Sequence, residues 1–291
     1  MSYANFVPAV WETGINRDLE RKCVFAEDCY RRYEGSVKRM GESVVIAGIG
    51  KPTIHTLDHD DRNGEIAAPE SVESSSILMP INQIAYYNYE IGDIDKAQAI
   101  DGVVDALQEE TTEALANQVD RYIASLALGA DVNNLGSTKG VTGTAGSGET
   151  NVLDILDAMQ EKLMENDVSD ATEIVVTVDP KFFTRFRREY TAQDTDNSKI
   201  LKNGRVYYYN GMKIKVSNNV GKKDITVSGS SKTCSIISLR TKRAVAYVNP
   251  MTHTEAYRPE KKFTDAVKGF ILYDAKIVRP KELVTTPVYY A

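Results

Sequence analysis

Ala97, Ile100, Val104, Leu107, Leu115, Val119, Tyr122 and Leu126 recur at helical spacing, with Thr111 bridging the middle. Asp105, Glu109, Glu113 and Asp120 fall on the other side. This pattern predicts one amphipathic helix from Asp95 to Leu128, with a buried stripe and a solvated face. Asp95 can cap the first turn, Gln98 standing three residues on as in a capping box, and Gly129 stands where a left-handed stop is expected. At 1.5 Å per residue such a helix runs roughly 50 Å, so it needs an equally long surface to lie on. It reads as a spine.

Ser43 to Ile49 and Ile77 to Ile91 have the β-branched and aromatic content of strands, the second carrying Tyr86, Tyr87 and Tyr89. The polar stretch between them holds Pro52, Asn63-Gly64 and Pro69, and it predicts an extended two-stranded loop turning at Asn63-Gly64. Beyond the spine, Gly136 to Gly148 is a Gly/Ser/Thr-rich connector. Val152, Ile155, Leu156, Met159 and Leu163 mark a second helix, Ile174 to Val178 a buried strand, and Phe182, Phe183 and Phe186 the apolar face of a helix after Asp179-Pro180. Arg205 to Tyr209, Asn210-Gly211 and Met212 to Val216 spell a hairpin, and Ser217-Asn218-Asn219 a further turn. Ile236 to Leu239 predicts a strand, Lys242 to Val248 a short helix, and Val267 to Val278 a long strand closed by Arg279-Pro280. That last strand is long enough to partner the spine.

Near the start, Phe6, Pro8, Val10, Trp11 and Ile15 are too sparse to form a core and suit an arm that docks elsewhere. Leu19, Cys23, Ala26 and Tyr30 have helical spacing among Arg17, Arg21, Lys22, Arg31 and Arg32. A short surface helix with a solvated basic face is preferred to a nucleic-acid contact.

Composition changes the picture in three ways. The chain of 291 residues has ordinary globular content, and its formal charge of -6 argues against a dedicated nucleic-acid binder. Three cysteines, Cys23, Cys29 and Cys234, lack metal-ligand spacing and suit free thiols. With no basic-apolar leader and no bilayer-length apolar run, a soluble chain made in a cytoplasm is expected, without a membrane partner.

Candidate chemistry fails on inspection. From His59, positions occupied by Asp61, Asn63, Gly64 and Glu70 imitate a calcium loop, but the first ligand is histidine and Pro69 interrupts the loop. His55 and His59, among Asp58, Asp60 and Asp61, have no third zinc ligand nearby. Gly143 to Thr150 reads GTAGSGET, a phosphate loop with Glu149 in the lysine position, which would repel phosphate. His253 has no nucleophile or carboxylate placed to work with it. On the basic helix carrying Arg185, Arg187 and Arg188 a solvated face is the simpler reading, and a subunit contact the alternative. No catalytic, cofactor-binding or metal site is expected.

Four stretches carry a resemblance: FVPAVW at Phe6 to Trp11, IGDIDKAQA at Ile91 to Ala99, NGMKIKVSNNV at Asn210 to Val220, and YRPEKKFTDAVKGFILYDAKIVRP at Tyr257 to Pro280. In this order they resemble the major capsid proteins of tailed phages with the Hong Kong 97 fold. The resemblance implies an α+β chain divided into an N-terminal arm and short helix (1–40), an extended loop (41–90), a peripheral domain on the spine (91–135), an axial domain (136–253) and a return to the peripheral domain (254–291). It also implies self-assembly through hexamers and pentamers into an icosahedral shell in the bacterial cytoplasm. Scaffolding and portal proteins would be partners, and contact with packaged double-stranded DNA would be weak and non-specific. Asp274 departs from the family's YGAK-like run, where glycine would make a local turn. The Lys and Asn that some relatives crosslink are not identifiable. An encapsulin-like compartment enclosing a cargo enzyme is the alternative.

Overall fold

The computed structural model describes residues 23–33, 43–49, 53–56, 68, 74–92, 103–129, 134–135, 139–140, 150–168, 173–192, 208–227 and 229–290. The spine is helix α1, Val103–Leu128, about 39 Å long at 1.5 Å per residue. The expected start at Asp95 lies outside the described residues. Gly129 does not take a left-handed conformation; its N–H reaches the Leu126 carbonyl at 3.3 Å in a tight final turn. Leu115, Ala116, Val119, Ile123 and Ala124 are buried, as the periodicity requires. Leu107 is only half-buried, and Asp120, assigned to the solvated face, is buried at 2% exposure.

Val119, with no exposed surface, is therefore where a charge does most damage. Val119→Asp is expected to abolish cooperative folding. A buried unpaired carboxylate costs several kcal/mol, against roughly 5–15 kcal/mol for a whole domain. Exposed Glu109→Gln should stay within about 0.5 kcal/mol of the parent, and thermal melting by circular dichroism reads both.

The surface under α1 is a three-stranded antiparallel sheet in the order β10 (Val245–Tyr257), β11 (Thr264–Ile277), β3 (Gln83–Gly92). Ala85, Val245, Tyr247, Ile271, Tyr273 and Ala275 pack with the buried stripe of the helix. The long final strand is thus present, and its neighbour β10 replaces the short helix expected at Lys242 to Val248. Asp274 makes no turn. It lies inside β11, 6% exposed, and accepts hydrogen bonds from the Asn82 N–H at 3.1 Å and the Tyr122 hydroxyl at 2.7 Å. The irregularity falls on the opposite strand, where the register shifts between Val248 and Met251. That bulge accommodates Pro250, which has no N–H to give to a ladder.

Gly269, at the centre of this sheet, is required by close approach. A Cβ there would meet the Tyr87 hydroxyl and lie 2.7 Å from the His253 carbonyl oxygen, because Tyr87 crosses the glycine to share a 2.8 Å hydrogen bond with Thr254. Gly269→Ala is expected to destabilise the chain by about 1–3 kcal/mol through overpacking against backbone, with a matching fall in urea midpoint.

Ile77 to Ile91 is two strands. β2 (Ser74–Pro80) ends before Ile81 and Asn82, and only then does β3 begin. β2 pairs antiparallel with β1 (Ser43–Ile49), from Ser43 opposite Pro80 to Ile49 opposite Ser74. This is the two-stranded stem expected of the extended loop. Its Asn63-Gly64 tip lies outside the described residues.

The second sheet has seven strands in the order β4 (Lys139–Gly140), β12 (Leu283–Tyr289), β9 (Ser230–Thr241), β5 (Ile174–Val178), β7 (Met212–Val216), β6 (Tyr208–Tyr209), with β8 (Lys222–Val227) paired to β9. Helix α2 (Val152–Glu165), capped by the Asn151 side chain on the Leu153 N–H at 3.0 Å, packs here through Ile155, Leu156, Met159 and Leu163. Helix α3 (Pro180–Ala192) opens with proline where no helical donor is needed; Asp179 accepts from the Phe182 N–H at 3.2 Å. Phe182 and Phe186 are buried. The β6–β7 turn has φ of 43° at Asn210 and 79° at Gly211, the type I′ geometry that Asn-Gly favours. β8 and β12 carry no clear periodic signal in the sequence.

Candidate assembly surfaces

Residues 23–33 do not form the expected solvated helix. They hold a single 3-10 turn, Ala26–Asp28, and Cys23, Phe25, Ala26 and Cys29 are buried. The cause is the Asp120 carboxylate on α1. It accepts from the N–H groups of Val24 at 2.8 Å, Phe25 at 3.0 Å and Ala26 at 3.4 Å, doing for this segment what a capping side chain does for a helix. Burial pushes the Asp120 carboxyl above its ordinary range, against the pull of those three donors and the charge of Arg240. Arg240, 3% exposed on β9, donates to the Phe25 carbonyl at 2.8 Å and reaches the Cys29 sulfur at 3.3 Å.

Two more elements grip the same segment. Lys215 on β7 stands 2.5 Å from both Glu27 and Asp28; burial works against its charge, but the carboxylates hold the ammonium above its usual value. Tyr30 joins the β10 edge, its N–H donating to the Val245 carbonyl at 2.9 Å and its carbonyl accepting from the Tyr247 N–H at 3.1 Å. The strap thus ties α1 to strands of both sheets. None of the three cysteines forms a disulfide and all are buried; burial raises the Cys29 thiol despite Arg240.

Apolar surface remains outside these cores. On the β1–β2 stem, Val44, Ile46 and Met79 face Ala246, Val248 and Leu272 in a core of their own. The other face presents the directly opposed pair Val45 and Leu78, 61% and 53% exposed. Beyond the stem, Ile84 and Tyr86 on β3 stand over a groove of about 620 Å³ against Glu110, Thr111, Ala114 and Leu115 of α1. Phe263, in the turn between β10 and β11, is 86% exposed. Arg187 and Arg188 lie exposed on α3, as read from the sequence.

The candidate ligand groups are not brought together. His55 lies in an exposed described stretch, while Asp58 to Asp61, Asn63, Glu70 and Gly143 to Glu149 lie outside the described residues. His253 is exposed on β10 with its ring against Phe270. Among the described residues no group of three His, Cys, Asp or Glu could hold a metal ion, and no helix is long and apolar enough to cross a membrane. Sequence reasoning missed the buried roles of Asp120 and Asp274. The only signal available was a carboxylate at the margin of an apolar stripe.

Among the described residues, the directly opposed Val45 and Leu78 thus stay exposed beside three buried cores. Residues 93–286, more than half of the sequence, match the family model described as phage capsid protein, and the chain belongs to that family. It is a structural protein of a phage capsid shell. No curated protein shows significant sequence similarity to it. Among solved structures it is similar to a chain of Mycobacterium phage Che8, with TM-score 0.69 and 24% identity over 91% of this chain and 90% of that one. It is also similar to a chain in the capsid of cyanophage P-SCSP1u, with TM-score 0.66 and 17% identity over 88% and 85%. A third similarity is to a virus-like particle from Pyrococcus furiosus, with TM-score 0.54 and 11% identity over 96% and 98%.

Proposed function

We propose that this chain is a major capsid protein of the Hong Kong 97 fold that assembles through hexamers and pentamers into an icosahedral shell around double-stranded phage DNA. The three-stranded sheet with α1 serves as the peripheral domain, and the seven-stranded sheet with α2 and α3 as the axial domain. On this division Val245–Tyr257 belongs wholly with the periphery, and Leu283–Tyr289 with the axial sheet. The shell forms in the bacterial cytoplasm with scaffolding and portal proteins, and its work requires no catalysis.

The observation that carries this reading is the Val45–Leu78 pair. A two-stranded ribbon apolar on both faces, one face already in its own core, has the other left for a neighbour. The double variant Val45→Asp, Leu78→Asp is expected to melt within a few degrees of the parent and to form no closed shells. Sedimentation velocity and negative-stain microscopy, with scaffolding protein present, read the outcome, and normal shells would defeat the reading. An encapsulin-like role would instead be revealed by a cargo enzyme co-purifying with the particle. DNA contact is expected to be weak, indifferent to sequence and steeply weakened by salt, which a duplex titration at two salt concentrations measures.

A further inference from the structure

A chain of charge -6 has little reason to collect cations on one wall, yet Arg31, Arg32 and Lys242 line a single open pocket of about 410 Å³ with Glu27, Cys29 and Tyr30. They come from two elements brought together by the fold, the strap after its 3-10 turn and the β9–β10 turn. The only acid among the described lining residues, Glu27, is already engaged by Lys215 at 2.5 Å. Arg31 lies over the Tyr247 ring, 5.4 Å from its centre, a contact that helps to hold the guanidinium in place. Arg32 is engaged by the Tyr30 hydroxyl and Lys242 is exposed. Lys213 and Lys242 both act on the Glu27 carboxylate, and Lys213 also lies 3.9 Å from Glu173.

Resting on the shell reading above, we propose that this pocket is where the shell touches its contents, binding backbone phosphates of the enclosed nucleic acid without reading bases. Two guanidinium forks and an ammonium suit phosphate oxygens, which Arg can engage bidentately. The described lining residues lie on the strap and the β9–β10 turn, with no α-helix or sheet strand among them to read base edges, so the contact carries no sequence information. The strap fixes the two arginines because Asp120 and Arg240 hold the residues just before them. The basic residues after Cys29 thus have a use other than solvation.

The test uses the full chain and a labelled duplex of mixed sequence, about 30 base pairs long, followed by fluorescence anisotropy between about 50 and 200 mM salt. Arg32→Gln with Lys242→Gln should weaken binding several-fold at low salt and reduce the log–log salt slope by roughly two, about 0.9 for each phosphate that is no longer neutralised. Arg187→Gln with Arg188→Gln on α3 should leave both unchanged. Lys242→Gln alone, in an exposed turn, should give half the change in slope and guards against misfolding of the double variant. An unchanged slope in the pocket variants, or weakening confined to the α3 variants, overturns the assignment while leaving DNA contact intact. Failure of the parent to bind duplex at low salt overturns the DNA contact itself. Equal competition by polyglutamate and by unlabelled duplex would assign the pocket to an acidic protein segment instead and overturn it.

Discussion

Asp120→Ala is expected to destabilise the chain by about 3 kcal/mol or more and to release the segment from Cys23 to Tyr30. Three backbone N–H groups lose their acceptor in a site closed to water, and each orphaned donor costs about 1–3 kcal/mol before relaxation. Arg240, with its Nε already lacking a hydrogen-bond partner, loses a negative charge that it interacts with as well. Urea unfolding should show the lower stability, and limited proteolysis should show early cleavage near Val24 to Glu27. Asp120→Asn separates geometry from charge, since the amide keeps one acceptor oxygen and does not titrate. The folded-state value of Asp120 is raised, so the folded chain binds the proton more tightly than the unfolded chain. Its contribution is therefore full below the ordinary carboxylate value and declines as pH rises through the raised one. Relative to Asp120→Asn, the parent should lose stability with rising pH across that window. A parallel pair of stability curves would mean that the carboxylate is not desolvated.

The second large effect is on assembly. Replacing residues 50–73 by a short Gly-Ser linker should leave a folded chain that makes no stable shells. The stem remains paired from Ser43 opposite Pro80 to Ile49 opposite Ser74, and the described core residues of the three clusters all lie outside the deletion. Shortening a loop changes closure entropy by less than a few kcal/mol. Loops beyond about 15 residues are uncommon without a function, and a stem packed on its own subunit can carry its far end to a neighbour. Thermal melting reports the fold, and sedimentation with microscopy reports the shell. Normal particles would remove the loop from assembly; an unfolded chain would place it in the core.

Elements whose burial is local were legible in the sequence. Helix α2, strand β5 and the Asn210-Gly211 hairpin each announce themselves by spacing or turn chemistry, and the structure has them where expected. What stayed hidden depends on distant partners. Periodicity places Asp120 on a polar face because it treats every carboxylate as solvated, and only the strap 95 residues away makes the side chain an interior acceptor. Ile77 to Ile91 reads as one strand because the break at Ile81-Asn82 is fixed by Asp274, 192 residues downstream. Lys242 to Val248 has short apolar spacing that suits a helix or a strand, and the pairing of β10 with β11 decides for a strand from Val245 onward. In Leu283–Tyr289, Pro287 argues against a sheet, yet the segment pairs with β9 from Leu283 to Val288. The exposed stem pair was equally hidden, since Val45 and Leu78 look like ordinary strand residues until the other face is seen to be occupied.

The strap beginning at Cys23 is gripped by α1 through Asp120, by β7 through Lys215, by β9 through Arg240 and by the β10 edge through Tyr30. A tug on the chain ahead of Cys23 is therefore not absorbed by one loop. It is shared at once among the long helix, the three-stranded sheet and the seven-stranded sheet, much as a load on a tie-beam passes to every wall it is pinned to. Any partner that holds the first 22 residues taut gains mechanical purchase on the angle between the two sheets.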